Sequence, residues 1–206
     1  MRIYNSKKKF LYLISPNKID NQFLKDLKSV LKYDKINFFQ LRLKNESIKK
    51  KIIIGKKIKK ICYLNKVKFL INDDPWLAKK INADGCHLGQ KDMDIKNARK
   101  IIGKKIIGVT CHNSIKLAKA AIKENADYIA FGAFFSTKTK KVIFKADIKI
   151  LNKIKKLTKT PIVAIGGINF DNYKKLLLNN ANLLAISSYV WNNKKYKPLE
   201  TIVKIK

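Results

Sequence analysis

The feature that most constrains the fold is a regular alternation of short apolar segments with longer segments of helical period. Helical stretches such as Ser114–Asn125 and Asp171–Asn179 carry apolar side chains on one face. The intervening apolar runs predict eight strands: Phe10–Ser15, Asn37–Leu43, Lys68–Asn72, Gly85–Leu88, Lys105–Thr110, Tyr128–Ala133, Pro161–Ile165 and Asn182–Ser187. Eight alternations within 206 residues favour an α/β fold with parallel strands, a closed (β/α)8 TIM barrel, over an open doubly wound sheet.

The length and composition predict one domain over residues 1–206, because no linker or change of composition divides the chain. The three cysteines, Cys62, Cys86 and Cys111, form no CxxC pair. Their odd number favours a reducing, cytoplasmic compartment. No run approaches the roughly 18 to 20 apolar residues of a membrane span, so we expect no membrane partner.

The formal net charge of +33 would suit a nucleic-acid partner if the cations were clustered. They are instead spread along the whole chain and are nearly all lysines. We therefore expect no specific nucleic-acid partner, although a basic barrel with a decayed active site stays open as an alternative. A homo-oligomer is compatible with the sequence, which does not fix the number of subunits.

Polar or glycine-rich residues follow six consecutive predicted strands, from the third to the eighth. In a parallel barrel the carboxyl ends of all strands meet at one face, where the reactive groups lie. The sequence therefore predicts a single site at that face. The segments concerned are Asn72-Asp73, Gly89–Asp92, Thr110 with His112, Thr137–Lys140, Gly166-Gly167 and Ser187-Ser188.

The second predicted strand carries an amide and two cations at every second position. A period of two places Gln40, Arg42 and Lys44 on the same side of this strand. A guanidinium grips phosphate with two parallel hydrogen bonds and an ammonium acts as a point charge, so the pair suits a diphosphate. The alternative is an edge strand with solvated cations, which the rarity of arginine disfavours, since the chain has only Arg2, Arg42 and Arg99.

Two of the scarce acidic residues follow neighbouring predicted strands. Asp73 and Asp92 would reach over the same face, and two carboxylates bridging to diphosphate oxygens describe a Mg²⁺ site. The alternative is that these acids cap helices, as Asp74 and Asp94 are placed to do. The spacing alone does not decide between the two.

Two further segments suit phosphate oxygens. Gly166-Gly167 after the seventh strand and Ser187 after the eighth match the recurrent phosphate site of such barrels. Thr137, Thr139 and Lys140 offer hydroxyls and an ammonium, although on these residues alone an ordinary lysine-rich loop is the favoured interpretation.

The doublets Cys86-His87 and Cys111-His112 invite a zinc interpretation. Their spacing is not that of a metal knuckle. Buried small thiols are the favoured explanation of the cysteines. His112, at a strand end, is placed to donate a hydrogen bond to a ligand.

Six motifs in collinear order resemble the thiamine-phosphate synthase family. A Thr at 110 stands where the family usually has Ser, which keeps the hydroxyl, and the eighth helix looks short. The motifs are QxRxK at Gln40–Lys44, IND at Ile71–Asp73, ADGxHLGQxD at Ala83–Asp92, GV[ST]xH at Gly108–His112, FxTxTK at Phe135–Lys140 and VAIGGI at Val163–Ile168.

The resemblance implies a (β/α)8 barrel that joins 4-amino-2-methyl-5-hydroxymethylpyrimidine diphosphate to a thiazole phosphate with Mg²⁺ and releases diphosphate. It implies that Asp73 and Asp92 hold the metal, and that Arg42, Lys44 and Lys140 stabilise the leaving group. The implied pyrimidine diphosphate contacts are Gln40, Arg42, Lys44, Asn72, Thr110 and Lys140. The implied thiazole phosphate contacts are Thr137, Thr139, Gly167, Ile186 and Ser187.

A thiazole tautomerase of the same fold is a rival to the synthase. It would need an acid or base such as His112, but neither the cations Arg42 and Lys44 nor the carboxylates Asp73 and Asp92. The joint presence of these groups favours the synthase.

Overall fold

The computed structural model describes residues 9–136 and 145–206. Its eight parallel strands follow one another in chain order around a closed barrel, and the first strand pairs with the last. The predicted (β/α)8 fold is therefore confirmed. The strands are β1 Leu11–Ile14, β2 Ile36–Leu41, β3 Lys68–Asn72, β4 Gly85–Leu88, β5 Ile106–His112, β6 Tyr128–Phe131, β7 Ile162–Ile165 and β8 Leu183–Ile186.

Helices alternate with these strands and surround the barrel. Asp74 and Asp94 cap the helices that follow them, as the sequence predicts, because each carboxylate accepts a hydrogen bond from a backbone N–H of the first turn. The helix after β8 is short, also as predicted. The helices are α1 Asn21–Val30, α2 Ile48–Leu64, α3 Pro75–Lys80, α4 Ile95–Ile102, α5 Ile115–Lys123, α6 Lys149–Lys155, α7 Tyr173–Leu178, α8 Ser188–Trp191 and α9 Pro198–Ile202.

Apolar side chains form two layers, because successive residues of a strand point to opposite faces of the barrel wall. The outer layer packs strands against helices and includes Leu13, Phe39 and Ile71. The inner layer fills the barrel and includes Tyr12 and Phe38. The barrel interior is thus packed, and polar groups inside it need partners within the protein.

The predicted strands match the observed ones closely, and β3 and β4 agree at both ends. The expectation that the second strand runs to Leu43 is wrong, since β2 ends at Leu41. The backbone N–H of Arg42 donates to Ser15 Oγ at 2.9 Å. A side chain thus takes the place of a neighbouring strand's carbonyl, and the chain leaves the sheet.

Two further observations concern the environment of the chain. Among the described residues, no helix combines the length and the apolar character that crossing a bilayer requires. Cys62, Cys86 and Cys111 are free and buried.

Candidate active site

The carboxyl ends of the eight strands form one mouth of the barrel, because all neighbouring strands are parallel. The mouth is built by the ends of these strands and the residues that follow them. Asn72 ends β3, Thr110 lies near the end of β5, and Ser187 follows β8. The structure thus places these three predicted site residues at the same end of the molecule.

Arg42 and Lys44 lie in the loop after β2 and not on the strand itself. The Arg42 guanidinium donates to Asn17 Oδ1 at 3.0 Å, which ties it to the loop after β1. Lys44 Nζ lies 3.4 Å from Asp73 Oδ2. The prediction that Gln40 shares their side of a strand is therefore wrong, because Gln40 points into the barrel interior and is only 2% exposed.

The Asp73 and Asp92 carboxyl groups lie side by side at the mouth. The Asp92 carboxylate accepts a hydrogen bond from the Gly89 backbone N–H at 2.7 Å, which orients it. The pKa of Asp92 is raised, first by partial burial and then by a hydrogen bond with the Asp73 carboxyl group and the charge of that residue. Two carboxylates held together in this way gain stability from a nearby cation.

The ammonium of Lys44 and the two carboxylates form a compact group of opposite charges. Carboxylate oxygens are hard ligands of the kind that Mg²⁺ prefers. Within residues 9–136 and 145–206, no three His, Cys, Asp or Glu side chains come together as a metal site.

A chain of hydrogen bonds begins at Asn72 and runs into the barrel. Gln40 Nε2 donates to Asn72 Oδ1 at 2.5 Å, and the Tyr12 hydroxyl donates to Gln40 Oε1 at 2.5 Å. The Tyr12 and Tyr128 hydroxyl oxygens are 2.8 Å apart. These polar groups inside the barrel thus form their hydrogen bonds with one another and not with water.

The same chain returns to the mouth on the other side. The Tyr128 hydroxyl lies 2.9 Å from His87 Nδ1, and His87 Nε2 lies 2.8 Å from Thr110 Oγ1. Gln90 Nε2 donates to the Thr110 carbonyl oxygen at 2.5 Å. Asn72 and Thr110, two predicted pyrimidine contacts, are therefore the two ends of one continuous chain.

Burial fixes the protonation states within this chain. Burial lowers the pKa of His87 from 6.5 to about 4, with the charge of Asp92 opposing the shift. Burial also raises the pKa of both Tyr12 and Tyr128 above the usual tyrosine value. At neutral pH the chain consequently contains a neutral imidazole and two protonated phenols.

The seventh and eighth strands end in a tight turn and a cleft. Gly166 and Gly167 have φ values of +102° and +64°, and a Cβ on Gly167 would overlap the carbonyl oxygen of Ser136. Ser187 Oγ donates to the Ser15 carbonyl at 3.3 Å. Ile186 packs in the layer between strands and helices, so its backbone is what it can offer a ligand.

A cleft of about 1040 Å³ opens beside this turn. Its lining includes Asn17, Gly167, Ser187 and Trp191. The indole N–H of Trp191 donates to the Ile14 carbonyl at 2.8 Å, which holds that wall against β1. Asn17 borders the cleft and also receives the Arg42 hydrogen bond, so the cleft adjoins the cationic part of the mouth.

Three predicted ligand contacts, Thr137, Thr139 and Lys140, lie outside the described residues. The zinc interpretation of the two Cys-His doublets is wrong for the first of them. Cys86 packs against the helices, whereas His87 points into the barrel, because neighbouring residues of a strand face opposite ways.

Sequence reasoning missed several residues that build the mouth. Tyr12 lies in an apolar run, where it is easily taken for an ordinary core aromatic. The one sign of a different role in the sequence is its hydroxyl, which needs a hydrogen-bond partner when it is buried. His87 and Gln90 belong to the third motif, Ala83–Asp92, in which the sequence assigned them no role. Asn17 carries no signal, because its importance depends on contact with Arg42.

A closed parallel barrel with polar side chains gathered at the carboxyl ends of its strands defines an enzyme of the (β/α)8-barrel class. A family model described as thiamine monophosphate synthase matches residues 11–190. The chain belongs to the thiamine monophosphate synthase family, as its sequence motifs indicate.

Relatives and solved structures agree with this assignment. The chain is 70% identical over 200 residues to a thiamine-phosphate synthase of Pelagibacter ubique, covering 97% of each chain. It is 39% identical over 185 residues to a thiamine-phosphate synthase of Rhodospirillum centenum, covering 89% of each. A solved thiamine phosphate pyrophosphorylase of Pyrococcus furiosus superposes with a TM-score of 0.84 at 29% identity, covering 96% of this chain and 94% of that one.

Proposed function

We propose that this enzyme condenses 4-amino-2-methyl-5-hydroxymethylpyrimidine diphosphate with a thiazole phosphate to give thiamine phosphate and diphosphate. The observation that carries the proposal is the cluster of Lys44, Asp73 and Asp92 at the mouth of a barrel of this family, with Arg42 in the same loop as Lys44. Two cations and two carboxylates are what a metal-bound diphosphate requires.

The pyrimidine diphosphate is assigned to the side of the mouth formed by β2 to β5. Arg42 and Lys44 bind the diphosphate oxygens, and Asn72 and Thr110 contact the pyrimidine ring. Gln40 acts from inside the barrel by holding Asn72, which it reaches at 2.5 Å. Lys140 is assigned to the leaving diphosphate by family resemblance.

Asp73 and Asp92 are the residues assigned to Mg²⁺. Their adjacent carboxylates and the raised pKa of Asp92 fit a cation site, because the excess negative charge between them is relieved by a bound cation. When bound, the metal neutralises charge on the leaving diphosphate.

The chain's own residues supply positioning and charge rather than a nucleophile. The carbon that links the aminopyrimidine to the diphosphate can support positive charge, so the diphosphate leaves first and the thiazole nitrogen then attacks that carbon. Arg42 and Lys44 stabilise the negative charge that develops on the leaving oxygens. Positional isotope exchange within the diphosphate should occur when the thiazole is withheld, and its absence would contradict this order of events.

The thiazole phosphate is assigned to the cleft beside β7 and β8. Gly167 lines this cleft, so its backbone N–H is assigned to the phosphate. The positive φ of both glycines and the close approach of Ala133 and Ser136 account for the absence of side chains at this turn. Ser187 and the backbone of Ile186 border the same region. Thr137 and Thr139 are assigned here from family resemblance.

The two alternatives raised by the sequence have less support. A tautomerase has no use for Lys44 placed beside a pair of carboxylates, and the relatives described above are synthases by name. A nucleic-acid-binding barrel with a decayed active site would not explain why Lys44, Asp73 and Asp92 lie together at the mouth.

We further infer that residues 1–206 act as one domain, because β8 closes on β1 and the Tyr33 hydroxyl binds the Ile205 carbonyl at 2.9 Å. A cytoplasmic location is proposed from the three reduced, buried cysteines. A homo-oligomer remains a prediction, and sedimentation of the purified protein tests it.

Initial rates of thiamine phosphate formation test the assignment of the mouth. Arg42→Ala should lower kcat/KM by about 100-fold or more, because it removes a charge-assisted contact to the diphosphate. Lys100→Ala serves as the matched control, since Lys100 is an exposed cation in the last turn of α4. Equal rates for both variants would contradict the proposed diphosphate site.

A further inference from the structure

The chain of hydrogen bonds through the barrel has a direction. We propose that Tyr12, Tyr128 and His87 are positioning residues that make Asn72 present a donor and Thr110 an acceptor to the substrate, and so select an aminopyrimidine. This inference rests on the proposed function, because it concerns the ring that the mouth binds.

The direction follows from the first two hydrogen bonds. Gln40 donates from Nε2 to Asn72 Oδ1, so the Asn72 amide NH₂ remains available toward the mouth. Gln40 Oε1 accepts the only proton of the Tyr12 hydroxyl. Tyr12 can therefore interact with Tyr128 only as an acceptor, and the Tyr128 hydroxyl must donate to it across 2.8 Å.

The donor and acceptor roles in the second half of the hydrogen-bond chain follow from those in the first half. Because the Tyr128 proton is used on Tyr12, the Tyr128 oxygen must accept from His87 Nδ1–H at 2.9 Å. A neutral imidazole carries one proton, so His87 Nε2 has a free lone pair. Thr110 Oγ1 then donates to His87 Nε2 at 2.8 Å. The Thr110 hydroxyl thus presents its oxygen lone pairs, and not its proton, to a ligand.

The two ends of the chain match the hydrogen-bonding groups of an aminopyrimidine. The exocyclic amino group of such a ring is a donor, and its ring nitrogens are acceptors. Thr110 can accept from the amino group while the Asn72 amide donates to a ring nitrogen. A 4-oxo analogue has the opposite pattern, with an acceptor oxygen beside a ring N–H, and would meet mismatched partners at both ends.

Packing of the aromatic rings keeps the side chains of the hydrogen-bond chain in fixed positions. The Tyr128 ring stacks on His87 with centroids 5.6 Å apart and meets the Tyr12 ring edge-on at 5.8 Å. Phe38 stacks on the other side of Tyr128 at 5.8 Å. Since the rings cannot turn away, reversing one hydrogen bond requires reversing all of them.

Removing the Tyr12 hydroxyl should therefore change a residue that Tyr12 does not bind. In Tyr12→Phe, the Tyr128 proton loses its acceptor and must turn to His87 Nδ1. His87 then carries its proton on Nε2 and donates to Thr110, whose hydroxyl proton is released toward the mouth. The variant should shift from the Nδ1–H tautomer of the wild type to the Nε2–H tautomer.

Nitrogen-15 NMR of imidazole-labelled, ligand-free protein reads the tautomer directly, because protonated and unprotonated ring nitrogens resonate far apart. The protein has two histidines, so a His112→Asn sample assigns the His87 signals. Tyr173→Phe is the matched control, since it removes another buried tyrosine hydroxyl, one that binds the Lys206 carbonyl at 3.1 Å. It should leave His87 as the Nδ1–H tautomer.

An Nε2–H tautomer in the wild type would overturn the proposal without any variant. So would a tautomer that Tyr12→Phe leaves unchanged. Both tests use ligand-free protein and are independent of whether the proposed reaction occurs.

Substrate choice provides the second readout. The ratio of kcat/KM for the 4-amino to the 4-oxo pyrimidine diphosphate should fall at least about tenfold in Tyr12→Phe relative to the wild type. Comparing the ratios removes the different intrinsic reactivity of the two compounds. Tyr173→Phe should keep the wild-type ratio, and an unchanged ratio in Tyr12→Phe would overturn the role in selection. Failure of the wild type to form product would count against the proposed function. The His87 tautomer measured by NMR would then still test the direction of the hydrogen-bond chain.

Discussion

At the scale of single residues, the site depends on groups whose chemistry a close substitute does not reproduce. Arg42 is one of three arginines in a chain that otherwise uses lysine as its cation. Its guanidinium reaches Asn17 while its backbone N–H binds Ser15 Oγ. The contact with Asn17 thus orients the planar fork, and the contact with Ser15 fixes the backbone that carries it.

Arg42→Lys keeps the charge but loses the fork, so it should lower kcat/KM by about 10- to 100-fold. Steady-state kinetics with the pyrimidine diphosphate as the varied substrate measures this. A variant as active as the wild type would show that Arg42 acts as a point charge only.

His87 should make stability depend on pH in a defined direction. Its folded pKa of about 4 lies below the unfolded value of 6.5. Between these values the unfolded chain binds a proton that the folded protein excludes. The free energy of unfolding therefore has its full His87 contribution above pH 6.5 and loses it as the pH falls toward 4.

The loss amounts to at most about 3 kcal/mol, since one pKa unit corresponds to about 1.4 kcal/mol. Urea unfolding between these pH values should show this slope in the wild type and lose it in His87→Gln. His112→Asn is the control and should retain it, because Asn tolerates the positive φ of that position. Equal slopes in the wild type and His87→Gln would contradict a neutral, buried His87.

At the scale of elements, β5 and β6 fit together around one glycine. Gly108 on β5 lies under the ring of Tyr128 on β6, and a Cβ there would overlap that ring. The ring cannot move freely, because it also packs on His87 and Phe38. The hydrogen-bond chain therefore depends on a residue that has no side chain.

Gly108→Ala should lower the free energy of unfolding by about 1 to 3 kcal/mol through overpacking. Gly55→Ala is the control. Its Cβ would come close only to the flexible end of Ile81 and would meet Leu41 at an ordinary contact distance of 3.6 Å, and the substitution gains helix propensity. That variant should stay within about 1 kcal/mol of the wild type in urea unfolding. A Gly108→Ala protein of wild-type stability would show that Tyr128 is loosely held.

The sequence predicts elements better than it predicts what joins them. Hydrophobic periodicity and turn residues locate β3 and β4 at both ends, and Asp74 and Asp94 are recognisable caps. The end of β2 is missed because it depends on Ser15, a residue of another loop. The Tyr12–Tyr128 contact joins residues 116 positions apart and exists only once the barrel closes.

At the scale of the whole molecule, the few acids hold specific positions within a large excess of lysine. Asp84 accepts from the Phe69 backbone N–H, and Asp127 accepts from that of Ile107 and from Arg99. Asp73 and Asp92 lie at the mouth. With 47 cationic and 14 acidic side chains, most of the cations cannot each be paired with a carboxylate of their own.

The excess charge predicts that salt stabilises the protein, because screening weakens repulsion that favours expansion. Raising the ionic strength from 0.1 M to 1 M shortens the screening length from about 10 Å to about 3 Å. Thermal melts should show Tm rising over this range, equally in NaCl and KCl. A flat or falling Tm would show that the surface charges are already balanced locally.

The reaction proposed for this mouth joins a pyrimidine diphosphate to a thiazole phosphate. The most direct measurement is the yield of thiamine phosphate and diphosphate from the purified protein with both substrates and Mg²⁺, each omitted in turn. The account predicts equal molar amounts of the two products, with no thiamine phosphate when either substrate is omitted or the metal is chelated. Absence of thiamine phosphate with every component present, or its formation at an undiminished rate without the metal, would contradict the account.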